Sequence, residues 1–136
     1  MNLIIDQGNS VCKVAVVDGG EFIAHYSFPQ VSLREAGSIL SDYPDLKAAI
    51  YSSVAGVDKL LLSLLAERIP MVLRVDEYID VPVRVRYDRK GLGSDRLAAV
   101  VGASALASQG VSLLVGDLGT AITFEQITPN GEYIGG

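Results

Sequence analysis

Three stretches near the start of the chain alternate apolar and polar residues with period two, the signature of strands. They are Leu3–Asp6, Val11–Val17 and Glu21–Phe28, with Val14, Val16 and Ile23 on the pattern and Asp18-Gly19-Gly20 as a hairpin turn. From Ser32 to about Leu40 the pattern turns helical; Ser32 can cap and Glu35 stands three residues later, as in a capping box. Lys47–Ser53 predicts a fourth strand. Val57–Arg68 (VDKLLLSLLAER) repeats apolar residues at the helical period and stops before Pro70. Met71–Val75 predicts a fifth strand.

Beyond it, Ile79–Tyr87 alternates Val81, Val83 and Val85 with Asp80, Arg84 and Arg86, which suggests a short extended edge segment. Ser94–Ser108, with apolar residues at 97, 98, 101, 105 and 106, predicts a helix ending near Gly110. Strands return at Val111–Asp117, Ala121–Thr128 and Tyr133–Ile134, the last after the turn Pro129-Asn130-Gly131. Three strands, helix, strand, helix, strand is the order of the ribonuclease H-like core found in sugar kinases, actin and Hsp70 nucleotide-binding domains. The fold class expected is therefore α/β: a ribonuclease H-like (actin-like ATPase) domain with a mixed five-stranded sheet flanked by helices over residues 1–110. Residues 111–136 would be the first strands of a second, similar domain. A three-stranded sheet without covering helices would expose an apolar face and a bare edge. The chain is thus expected to be a fragment, inactive or nearly so by itself, or to pair its last strands with another chain.

Composition narrows the function. About half of the residues are apolar (49%) and a fifth charged (20%), with a net charge of −5, as in ordinary soluble globular proteins. An acidic chain without a basic stripe argues against nucleic acid as a partner. No apolar run approaches the roughly 18 residues that would span a bilayer, so no membrane role is expected. Asp6 interrupts any signal-like start, and the cytoplasm is the expected compartment. The single cysteine, Cys12, lies on an alternating strand and reads as a buried structural thiol. His25, the one histidine, reads as structural for want of a partner ligand. Arg84, Arg86, Arg89 and Lys90 form the one basic cluster, either a solvated face or a screen for nucleotide charge.

The chemistry concentrates in three motifs. Asp6-Gln7-Gly8-Asn9-Ser10 follows Leu3-Ile4-Ile5, and Asp117-Leu118-Gly119-Thr120 follows Leu113-Leu114-Val115. Each reads as a strand delivering a carboxylate to a glycine turn whose backbone N–H groups can approach an anion. Two such turns facing across a cleft can hold a nucleotide's phosphates and metal between them. In the first, Gly8, Asn9 and Ser10 offer donors, Lys13 a positive charge and Asp6 a metal-facing carboxylate; the plain alternative is a hairpin whose Asp only bonds its own turn. The third motif, Leu92-Gly93-Ser94-Asp95-Arg96, puts Asp95 and Arg96 in the first turn of a helix. There Asp95 is either a solvated capping residue or a general base. Arg96 can bind a carboxylate or carbonyl through its planar fork.

Together D-x-G-N-S-x-x-K (Asp6–Lys13), L-G-x-D-R (Leu92–Arg96) and D-x-G-T-A-x-T (Asp117–Thr123) resemble the type III pantothenate kinases, in the same order and at similar separations. The resemblance implies transfer of the γ-phosphate of ATP to the primary hydroxyl of pantothenate, the first step towards coenzyme A. It implies that Asp6, Gln7, Gly8, Asn9, Ser10, Val11, Cys12 and Lys13, with Thr120, contact ATP, and that Asp95 is the proton acceptor. Tyr87, Gly93, Ser94, Asp95 and Arg96 would contact pantothenate, and Asp117 would bind a monovalent cation (potassium or ammonium) required beside magnesium. A homodimer is also implied. Two departures stand out: the usual Asp after the last motif is Glu125, and a usual proline before L-G-x-D-R is replaced within Arg89-Lys90-Gly91. Two other readings fit the same fold: a kinase of this superfamily acting on another small hydroxyl or carboxylate substrate, and a non-enzymatic or regulatory homologue.

Overall fold

The computed structural model describes residues 1–86, 88–119 and 121–136. They form an α/β structure with two mixed sheets and three helices, consistent with an actin-like ATPase fold. By compactness the chain divides into Met1–Arg74 and Val75–Gly136.

The first unit holds β1 (Asn2–Gln7), β2 (Cys12–Asp18), β3 (Glu21–Phe28), α1 (Leu33–Asp42), β4 (Ala48–Ser53), α2 (Lys59–Arg68) and β5 (Met71–Arg74). Its sheet runs β3-β2-β1-β4-β5. The first three strands pair antiparallel, whereas β4 lies parallel to β1 and β5 parallel to β4. Both parallel steps need a crossover, and each uses a helix. Gly19 and Gly20 take φ of 56° and 90° in the β2–β3 hairpin, the left-handed pair that a tight two-residue turn demands. The Ser32 capping box is present: Ser32 Oγ accepts from the Glu35 N–H at 3.2 Å, and the Ser32 N–H donates to Glu35 Oε2 at 2.8 Å. At α2 the cap is Asp58, whose Oδ1 takes the Leu60 and Leu61 N–H groups at 3.0 Å, so the helix starts at Lys59 rather than Val57. Leu3, Ile5, Val14, Val16, Ala49 and Tyr51 from the sheet meet Ile39 and Leu40 of α1 and Leu61 and Leu65 of α2 in one core. Cys12 is fully buried in it, as its strand position predicts. His25 instead lies exposed on β3.

The second unit holds β6 (Arg84–Val85), α3 (Ser94–Leu106), β7 (Leu113–Leu118), β8 (Ile122–Ile127) and β9 (Glu132–Gly135), in the sheet order β6-β9-β8-β7. Among the described residues, the extended segment expected over Ile79–Tyr87 shrinks to the two residues of β6, parallel to β9. Asp76 ties up the preceding stretch by accepting the Tyr78 and Ile79 N–H groups at 2.9 and 3.1 Å, and Pro82 has no N–H to give. Helix α3 packs on β7 and β8, with Val100 against Ile127 and Tyr133. Compactness therefore breaks the chain at 74/75, where the sequence reading drew its division at 110/111; α3 belongs with the second sheet. The sheet face turned away from α3 exposes Leu114, Leu118, Ile122 and Phe124, and β7 is an edge strand. None of the described helices is long and apolar enough to cross a membrane.

Candidate active site

Asp6 is the penultimate residue of β1 and Asp117 the penultimate residue of β7. Each faces a residue of the next antiparallel strand, Asp6 opposite Lys13 and Asp117 opposite Thr123. The two Asp-x-Gly motifs thus occupy the same place in two hairpins.

In the first unit, Gln7 and Cys12 close the hairpin and Gly8 to Val11 form its turn. The Gly8 N–H donates to the Val11 carbonyl at 3.0 Å. A Cβ on Gly8 would lie 3.0 Å from that same oxygen, so the tightness of the turn calls for glycine. Alternation divides the motif by face. Gln7 and Cys12 point into the core side, and Gln7 Nε2 donates to the Gly8 carbonyl at 2.9 Å. The Cys12 thiol is pushed up by burial, which suits a structural role, so any ligand contact there is through backbone. Asp6 and Lys13 point to the other face and line a cavity of about 250 Å³ with His25, Phe22 and Tyr26. Asn9, Ser10 and Val11 are exposed at the tip.

In the second unit, Gly93 caps α3 without a side-chain hydrogen bond, which leaves the first-turn N–H groups without a side-chain acceptor from the capping position. Ser94 is buried, and Asp95 and Arg96 are half-buried in that first turn. Asp95 Oδ1 accepts from the Arg96 N–H at 2.8 Å. The Arg96 guanidinium reaches across to β8: Nε donates to Glu125 Oε1 at 2.5 Å and Nη2 to Glu125 Oε2 at 2.9 Å. Glu125 is 1% exposed, and the Tyr133 hydroxyl donates to its Oε2 at 2.5 Å. Burial by itself would raise the Glu125 carboxyl, but hydrogen bonds from Arg96, Tyr133 and Thr123 outweigh it and hold the group below the ordinary carboxylate range. Thr123 lies opposite Asp117 and two residues before Glu125 on one strand face. The L-G-x-D-R motif is therefore joined by an ion pair to Glu125, two residues beyond the end of D-x-G-T-A-x-T.

Glu125 is the residue whose part the motifs do not give; alternation along β8 puts it on the polar phase, opposite Ile122 and Phe124, so the sequence carries no signal of its burial. Tyr133, fully buried on β9, carries no signal beyond an apolar strand. Two expected site residues, Tyr87 and Thr120, lie outside the described residues. The basic cluster is not one surface. Arg84 and Arg86 bracket Glu132 at 3.0 and 3.1 Å. Arg89 Nη2 donates to the carbonyls of Asp76 and Ile79 at 3.0 and 2.6 Å.

Oxygen donors such as Asp117 suit hard cations. Among the described residues no group of three or more acidic, histidine or cysteine side chains forms a metal cage.

The family model described as type III pantothenate kinase matches residues 2–136. A type III pantothenate kinase of Porphyromonas gingivalis is 44% identical over 99% of this chain and 54% of its own length. One of Phocaeicola vulgatus is 41% identical over 100% of this chain and 56% of its own, and one of Aromatoleum aromaticum 32% identical over 100% and 57%. The chain spans about half the length of the curated relatives it matches.

Proposed function

The chain belongs to the type III pantothenate kinase family, and on that premise we propose that it carries the catalytic base, the substrate-binding arginine and the phosphate turns of an ATP-dependent pantothenate kinase. The reaction is attack of the primary hydroxyl of pantothenate on the γ-phosphorus of ATP. The new O–P bond forms as the bond to the β,γ-bridging oxygen breaks, the hydroxyl proton goes to Asp95, and ADP leaves. The product is phosphopantothenate, and the step is the first towards coenzyme A.

The observation that carries this reading is the pairing of Asp95 with a fixed cation, Arg96, in the first turn of a helix whose capping residue brings no side chain. Pantothenate has a carboxylate, an amide and two hydroxyls. One residue of the pair takes the proton and the other orients the anion, which is the division of labour that proton transfer to a positioned base requires. Gly93, Ser94 and Tyr87 complete the pantothenate contacts in this proposal. Asp6 to Lys13 and Thr120 contact ATP: the Gly8–Val11 turn offers backbone donors and Lys13 a positive charge beside Asp6. Magnesium bound to the nucleotide neutralises its phosphates, and Asp117 holds a potassium or ammonium ion.

The parallel placement of Asp6 and Asp117 in two hairpins supports a duplicated ribonuclease H-like design, with one domain built on the sheet of β1 to β5 and the first strands of another in β7 to β9. A homodimer and a cytoplasmic location complete the proposal.

The test is isothermal titration with pantothenate and with magnesium-ATP in potassium buffer, followed by ADP release in this chain and in a protein of the relatives' full length. Pantothenate-dependent ADP release is expected, and Asp95→Asn should lower it by about 10²–10⁴ while magnesium-ATP still binds. ADP release driven by a sugar or acetate but not by pantothenate would overturn the substrate. A protein that binds nucleotide and releases none with any substrate would be the regulatory homologue.

A further inference from the structure

We propose that Glu125, held by Tyr133, is a positioning residue: it fixes the plane of the Arg96 guanidinium and so sets how that cation meets an anionic substrate group. The identity of that group, the pantothenate carboxylate, rests on the function proposed above.

The argument starts from cost. A carboxylate that is 1% exposed loses most of its hydration, and a buried ion pair is often no more stabilising than apolar residues of the same volume. Stability alone is thus a weak reason for Glu125 to stand on the buried face of β8. Its two oxygens are both engaged, Oε1 by Arg96 Nε and Oε2 by Arg96 Nη2 and the Tyr133 hydroxyl. Such engagement leaves it ill-suited to hold an ion.

What the geometry does supply is direction. A single hydrogen bond lets a guanidinium rotate about its last torsion; two parallel bonds through Nε and Nη2 fix its plane. The edge carrying Nη1 is thereby turned away from Glu125. Tyr133 locks the carboxylate in turn, since its ring is fully buried against Val100 and Ile127 and its hydroxyl is tied to Oε2. Rigidity therefore passes from the core of the second unit through Glu125 to Arg96, the residue next to Asp95. A cation held in one orientation loses less freedom on binding an anion than one on a mobile stem.

The test uses the 15N-labelled chain, with the Arg96 Nε–H resonance assigned by its loss in Arg96→Lys. Wild type should show this proton shifted downfield and slow to exchange. Glu125→Gln should abolish that signature and weaken pantothenate about tenfold or more, with magnesium-ATP affinity changed less than about twofold. Glu125→Asp, which keeps the charge, should restore the signature and most of the affinity, and Tyr133→Phe should fall between. Pantothenate bound by Glu125→Gln as well as by wild type overturns the proposal. Equal loss of both ligands also overturns it, because that marks a merely structural pair. Should Glu125→Gln fail to fold, Tyr133→Phe decides: an unchanged Arg96 signal and unchanged pantothenate affinity overturn it. A wild type that binds no pantothenate yet shows the Arg96 signature overturns the pantothenate reading and the substrate half of this proposal, while upholding Glu125 as the clamp on Arg96.

Discussion

Arg96→Met isolates the electrostatic cost of the ion pair that ties the first turn of α3 to Glu125 on β8. Methionine keeps most of the stem and removes the cation, so Glu125 is left buried with only Tyr133 and Thr123 donating to it. Breaking a buried pair from one side costs about 3–5 kcal/mol. The Arg96 side chain is 23% exposed, which lets some water replace it, and two donors remain; the expected loss is therefore about 3 kcal/mol, at the low end of that range. Arg96→Met/Glu125→Gln removes the orphaned charge and should recover about 2 kcal/mol of it, a coupling that a double-mutant cycle reads directly. The sign of the pH dependence is fixed by the same pair. In wild type the Glu125 carboxyl is held below the ordinary range, so its stabilisation is present above the unfolded value of about 4.3 and is lost as pH falls through the lower folded value. In Arg96→Met burial acts without the cation, the folded value rises above the unfolded one, and the penalty is relieved as pH falls. The gap between wild type and variant should accordingly be widest near about pH 7.5 and narrow clearly by about pH 4.5. Urea unfolding followed by far-ultraviolet circular dichroism at both pH values, with amide exchange of β8 to locate the loss, measures it. A gap under about 1 kcal/mol, or one of equal size at both pH values, would refute the reasoning.

Gly8→Ala pushes a Cβ to 3.0 Å from the Val11 carbonyl; the turn must shift, at a cost of about 1–2 kcal/mol, and magnesium-ATP affinity should fall with it. Gly37→Ala serves as its contrast, because a Cβ there meets nothing within 4 Å in α1, and the helix should gain about 0.5–1 kcal/mol in a thermal melt. The Cys12 thiol, buried and pushed up by that burial, should react with an aromatic disulfide reagent only as fast as the chain opens. Full modification within the mixing time in native buffer would contradict the burial.

Most of the fold was legible because local and global signals agree. The capping box at Ser32, the glycine pair after Asp18 and the stop before Pro70 mark element ends by steric or hydrogen-bonding necessity. Boundaries slipped where a side chain competes for the backbone: Asp58 takes the first N–H groups of α2, and Asp76 does the same ahead of β6. The place of α3 was not legible. Its apolar stripe says that one face is buried but not against which sheet, and the observed partners, Ile127 and Tyr133, lie some thirty residues away in sequence.

The site shows the same division more sharply. Asp6, Asp95 and Asp117 are readable because each sits beside a glycine or at a helix start, so a local rule gives both its position and its accessibility. Arg96 is readable as a cation in the first turn of a helix but not as an oriented one. Orientation comes from Glu125, and Glu125 comes to Arg96 only through the pairing of β8 with β7 and β9 and the packing of α3 across them. Alternation along β8 hides this, because Ile122 and Phe124 fall on the apolar phase and Thr123 and Glu125 on the polar one, yet the structure buries the phase of Glu125. A carboxylate between Thr123 and Ile127 on the buried face of a strand is too costly to stand alone, so it implies a cationic partner within reach, and the first turn of α3 supplies one. A buried charge thus marks where two segments distant in sequence meet, a meeting that the period of the strand does not reveal and only the packing of α3 on β8 brings about.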